Sequence, residues 1–150
     1  MTRLNPYISF RGTAREAMEF YQSVFGGELD LSTFADFQMP GIGEDEADLI
    51  MHGQLEAPGG MALMGADTPR SMELSEGSNI TISLSGDDEA ELRGYWDKLS
   101  DGGEVAMPLE VAPWGDAFGQ LVDKYGVSWM VNIAGPGAGA PETVDTAVSA

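Results

Sequence analysis

The feature that most constrains this chain is that it repeats itself. Asn5-Pro6-Tyr7-Ile8-Ser9-Phe10 resembles Asn79-Ile80-Thr81-Ile82-Ser83-Leu84, and in both places a polar turn and then a helical pattern follow. A supersecondary unit that recurs within one chain points to a fold assembled from two similar pieces. The first helix is predicted to begin at Thr13, because Thr13-Ala14-Arg15-Glu16 reads as a capping box whose hydroxyl and carboxylate can take up free amides of the first turn. Ala14, Ala17, Met18, Tyr21, Val24 and Phe25 then recur at helical spacing, and Gly26-Gly27 ends the pattern. The second helix copies this design. Asp87 or Asp88 caps it, Ala90, Leu92, Tyr95, Trp96 and Leu99 form its apolar face, and Gly102-Gly103 stops it. Gly-Gly-Glu-Leu at 26–29 matches Gly-Gly-Glu-Val at 102–105, which marks the helices as repeat partners.

Three candidate strands follow each helix: Leu29 to Phe37, Leu49 to Leu55 and Met61 to Gly65, then Val105 to Val111, Phe118 to Asp123 and Trp129 to Ala134. Pro58-Gly59-Gly60, Pro113-Trp114-Gly115 and Tyr125-Gly126 supply the turns between them. Each half therefore reads βαβββ. The expectation is a single α+β domain over residues 1–134, with modules at about 4–67 and about 78–134. The acidic stretch 38–48 reads as a solvent-facing loop able to act as a lid. Residues 135–150, reduced to Gly, Ala, Pro, Thr and acids without periodicity, read as a disordered tail.

At 150 residues the chain is long enough to bury about 68–70% of its unfolded surface without staples. It has no cysteine, which excludes disulfides and thiolate chemistry and fits the cytoplasm, the expected location. With 25 acidic and 7 basic side chains the formal charge is −18, so nucleic acid and anionic lipid are not expected partners. Neither a signal peptide nor a membrane-spanning apolar run is visible.

Two tandem βαβββ modules resemble the vicinal oxygen chelate superfamily, which includes glyoxalase I, extradiol dioxygenases and bleomycin and fosfomycin resistance proteins. Pro6-Tyr7-Ile8-Ser9-Phe10, Phe20-Tyr21 with Phe25-Gly26-Gly27, Met51-His52-Gly53-Gln54-Leu55, Trp114-Gly115 with Phe118-Gly119, and Asp123 to Ile133 resemble its PhnB-like branch. The resemblance implies a mixed eight-stranded sheet curved around a pocket, a small organic molecule as ligand, and a homodimer.

Enzymes of the superfamily hold a divalent metal with His and Glu near the first and last strands of each module. The matching positions here are Asn5 or Pro6 and Asn79, then Leu63 or Met64 and Asn132, none of which is His or a carboxylate. Proline, leucine and methionine side chains offer no hard ligand. No metal or other cofactor is therefore expected, and the leading function is metal-independent small-molecule binding. The alternatives are a glyoxalase-like lyase or isomerase with a nonstandard site around His52, Gln54 and Asn132, and a structural or partner-binding domain.

His52 is the only histidine, so a two-His-one-carboxylate site is impossible within one chain. By strand alternation Ile50, His52 and Gln54 share one face. His52 can serve there as a hydrogen-bonding group or as a general base, the one catalytic candidate. Trp114, Phe118 and Trp129 are candidate ligand-lining aromatics, and Asn132 offers an amide to a ligand oxygen. Asp67 and Asp123 read as turn residues, caps or solvated pairs. Met61, Met64, Met72, Met107 and Met130 can lend a pocket an adaptable surface, although methionine at strand spacing also fills cores.

Overall fold

A computed structural model describes residues 3–37, 40–74, 77 and 79–135. The chain divides into two compact units, Met1–Gly77 and Ser78–Ala150. In the first, strand β1 (Tyr7–Phe10) leads into helix α1 (Ala14–Phe25), followed by β2 (Glu28–Thr33), a one-turn helix α2 (Phe34–Phe37), β3 (Ile50–Glu56) and β4 (Ala62–Asp67). The second runs β5 (Ile82–Gly86), α3 (Glu89–Ser100), β6 (Glu104–Val111), β7 (Ala117–Val122) and β8 (Ser128–Ile133). The expected βαβββ order is present twice. The eight strands form two four-stranded sheets, ordered β1-β4-β3-β2 and β5-β8-β7-β6, rather than one continuous sheet of eight. In each sheet the last strand lies parallel to the first and antiparallel to the third.

The helices bury the predicted stripes. Ala14, Ala17, Met18 and Tyr21 of α1 are fully buried over β2, β3 and β4, with Val24 and Phe25 nearly so. On α3 the buried residues are Leu92, Trp96 and Leu99, while Ala90 is exposed. Glycines facing each helix let it sit close. A Cβ on Gly65 would stand 3.1 Å from the Met18 sulfur, and one on Gly119 would stand 2.7 Å from Trp96 Cη2. The matched glycine pairs have a common cause. Gly26 and Gly102 adopt φ of 77° and 79°, a region that costs an L side chain strain. A Cβ on Gly27 or Gly103 would fall 2.1 Å from the Glu56 carbonyl oxygen or 2.3 Å from that of Val122, the last residues of β3 and β7.

Local fastenings differ from the sequence reading in three places. The Thr13 capping box is not made: Thr13 sits at φ −115°, ψ 12° and its side chain caps nothing. The buried Asp67 carboxylate replaces it, with Oδ1 accepting from the Gly12 and Ala14 amides at 2.7 and 3.0 Å and Oδ2 from the Ile50 amide at 3.0 Å. A reciprocal box forms instead at Thr33 and Asp36, where the Thr33 amide donates to Asp36 and the Asp36 amide to Thr33 Oγ1. That box turns the chain into α2, so β2 ends at Thr33 and does not run to Phe37. Asp123 is the turn residue expected, but buried instead of solvated. Its Oδ1 accepts from the Tyr125 and Val127 amides and its Oδ2 from the Trp129 indole at 2.9 Å, at 3% exposure. Asp88 does cap α3, accepting from the Glu91 amide at 3.1 Å.

In the acidic loop, Gln38 and Met39 lie outside the described residues. Beyond them Glu46 is buried and accepts from the Arg70 amide, while the Arg70 guanidinium pairs with Asp45 at 2.8 Å. The expected tail lies outside the described residues from position 136 onward. Among the described residues no helix is long and apolar enough to cross a membrane.

Candidate functional site

In the first unit, register decides which side chains meet. Tyr7 and Gln54 both pair with Met64, and Gln54 also pairs with Asp30, so these four share the sheet face turned away from α1. His52 and Glu56, two residues to either side of Gln54, join them. Ile50 does not share the setting of His52. A bulge leaves Met51 without a partner between Ser32 and Thr33, and Ile50 is fully buried while His52 is half-buried.

The polar side chains of this face form a continuous row. Tyr7 Oη lies 3.3 Å from His52 Nδ1, with ring centroids 5.7 Å apart. His52 Nε2 lies 3.4 Å from Gln54 Oε1, and Gln54 Nε2 donates to Glu56 Oε2. Arg3 closes the row with an ion pair to Glu56 at 3.2 Å. The Gln54 amide and, next, the Arg3 guanidinium hold the Glu56 carboxyl below its ordinary range. The sequence reading missed Tyr7, Glu56 and Arg3. Alternation along β1, which sets Tyr7 and Ser9 against the more buried Ile8 and Phe10, was the available signal for Tyr7.

In the second unit, Asn132 pairs across the ladder with Phe118, which pairs in turn with Glu110, so the three share the face turned away from α3. Trp114, 63% exposed, meets the Phe118 ring edge-on at 5.9 Å. The Asn132 amide donates to Asp116 Oδ2 at 3.0 Å, and the Gly135 amide donates to Oδ1 at 2.9 Å. These two bonds, the Asn132 bond foremost, lower the Asp116 carboxyl from its ordinary value. Trp129 does not join this group. At 1% exposure it shares the helix side of β8 with the buried Val131 and Ile133, and its indole is committed to Asp123. It is core, not a ligand-facing aromatic.

Among the described residues no three His, Asp or Glu side chains gather as metal ligands do. At the positions that the resemblance assigned to metal ligands, Leu63 is packed in the core, Met64 presents a thioether, Pro6 uses its carbonyl to accept from the Met64 amide, and Asn132 is bonded to Asp116.

Comparison with known proteins resolves the family. The family model described as 3-demethylubiquinone-9 3-methyltransferase matches residues 2–132. The chain belongs to that family. A structure from Pseudomonas aeruginosa, protein PA1353, is 34% identical with a TM-score of 0.78, covering 89% of this chain and 98% of the other. A Bacillus cereus structure titled a putative 3-demethylubiquinone-9 3-methyltransferase, PhnB protein, is 26% identical with a TM-score of 0.71, covering 89% and 100%. Protein YjdN of Escherichia coli strain K12 is 30% identical over 139 residues, 87% of this chain and 94% of its own. Proteins titled glyoxalase/bleomycin resistance/dioxygenase share the fold at lower identity. The fold that the resemblance implied is thus shared with those proteins, the PhnB protein is among the relatives, and all the residues that carried the resemblance except Ile133 fall inside the matched span.

Proposed function

We propose that this protein binds a small organic molecule without a metal, using the sheet faces turned away from its helices. The observation that carries this reading is the row Tyr7, His52, Gln54 and Glu56. Its members are already bonded to one another, so a ligand would meet a preorganised surface and little side-chain freedom would be lost on binding. On the second unit the Trp114–Phe118 pair and the Asn132–Asp116 pair offer the mixture of aromatic surface and few polar groups typical of organic-ligand sites.

The residues at the superfamily's metal positions do not fit its His/Glu ligand set, which supports the metal-free reading. A homodimer in the cytoplasm fits the absence of cysteine and the exposed apolar side chains Val105, Met107 and Val111 of β6.

The test uses untagged protein, whose single histidine keeps adventitious metal low. Metal analysis should find far less than one equivalent, and melts with Zn²⁺, Ni²⁺ or Mn²⁺ should show no saturable rise. Near-stoichiometric metal, or a rise saturating with one ion, would sink the metal-free reading. A ligand screen read by tryptophan fluorescence should then report through Trp114, because Trp96 and Trp129 are buried. Trp114→Phe should remove that signal.

A further inference from the structure

We infer that Tyr7 is a specificity-setting residue that faces ligand as a hydrogen-bond acceptor, so that this face selects organic molecules bearing N–H donors over anions. The inference rests on the binding function proposed above and adds a direction to it.

The direction follows from the charged end of the row. Ionised Glu56 can only accept, so it must be the NH₂ group of Gln54 that faces it. The Gln54 carbonyl then faces His52, and only a protonated Nε2 can satisfy that contact. In the neutral imidazole Nδ1 is left as a bare lone pair, which accepts the hydroxyl proton of Tyr7. Every link points toward Glu56. The Tyr7 proton is spent inside the row, and its phenol oxygen, on a residue 50% exposed, has acceptor capacity left. The charges along the row agree. Asp30 pairs directly with Gln54, Glu56 ends the row, and Arg3, the cation beside it among the described residues, is tied to Glu56. A carboxylate or phosphonate would meet lone pairs and like charge here. A protonated amine or an N–H-rich heterocycle would meet partners.

Two measurements test this on the intact protein. Long-range ¹H–¹⁵N correlation of the single histidine should show the Nε2–H tautomer, and Tyr7→Phe should move the Nδ1 resonance toward that of an unbonded nitrogen. Nδ1–H in the neutral ring would overturn the direction of the row. Binding is then compared for benzylamine, benzyl alcohol and benzoate by chemical-shift titration. Charge-assisted hydrogen bonds make benzylamine the tightest, with benzoate weaker by on the order of tenfold or more. Tyr7→Phe should narrow that ratio several-fold while leaving the melting transition near its original position. Benzoate binding as tightly as benzylamine would overturn this inference and leave the binding function standing. No binding by any of the three would overturn both.

Discussion

The two units share a chain path and differ in how they hold it. Both sheets place the last strand between the first and the third, both helices end on a glycine pair, and the second glycine of each pair closes against a strand end. The start of α3 is fastened by Asp88, which reaches the amide three residues on. The start of α1 is fastened by Asp67, from the far end of β4, and the same carboxylate also holds the beginning of β3. The buried carboxylate of the second unit, Asp123, serves the β7–β8 turn and an indole. A repeat can therefore reproduce topology and close-approach glycines while each copy satisfies its buried amides in its own way.

Five substitutions probe that contrast, the largest effect first. Asp67→Asn replaces an acceptor by a donor facing an amide and weakens two further bonds, so it should cost about 3 kcal/mol in urea unfolding. A cost no larger than that of removing the Asp88 cap would mean that Asp67 is not the main fastener of the first unit. Gly119→Ala should cost about 2 kcal/mol, because its Cβ would press Trp96 and stand 2.8 Å from the Leu109 Cα. Gly65→Ala should cost about half as much, since the flexible Met18 side chain is among the atoms that must yield. Equal costs would show that the two helices sit on their sheets with the same tolerance. Asp88→Ala should cost about 1 kcal/mol, the ordinary value of an N-cap, whereas Thr13→Ala should stay under about 0.5 kcal/mol because Thr13 caps nothing. A full cap's loss at Thr13 would restore the capping box that its sequence suggests.

Much of this architecture was legible because it is written in local signals. Helical spacing marked the buried residues of α1, and the glycine pairs marked both helix ends. Two of the misreadings share one cause, a long-range partner prevailing over a local motif. Thr13-Ala14-Arg15-Glu16 has the letters of a capping box, but the carboxylate that takes the Ala14 amide lies 53 residues away. The bulge at Met51 depends on how β2 pairs with β3, so alternation alone wrongly joined Ile50 to His52. For the candidate site, alternation correctly put His52 beside Gln54. Alternation along β1 offered Tyr7 as an outward-facing residue, but its place beside His52 follows from the parallel register of β1 on β4, which no spacing within either strand reveals. Trp129 was open to a better reading, since Trp129, Val131 and Ile133 are the apolar set of β8 and Ser128, Met130 and Asn132 the other.

The reach of Asp67 also orders events in time. A chain emerging from synthesis can complete α3 with a cap already in hand. When α1 has been made, the group that will hold the Gly12 and Ala14 amides lies 55 and 53 residues ahead. The start of α1 therefore stays frayed until β4 arrives. Closing a loop of that length is an entropic cost that the sheet must meet first. The amide protons of Gly12 and Ala14 thus act as a clock for the first unit: their protection from exchange begins only when its last strand is in place.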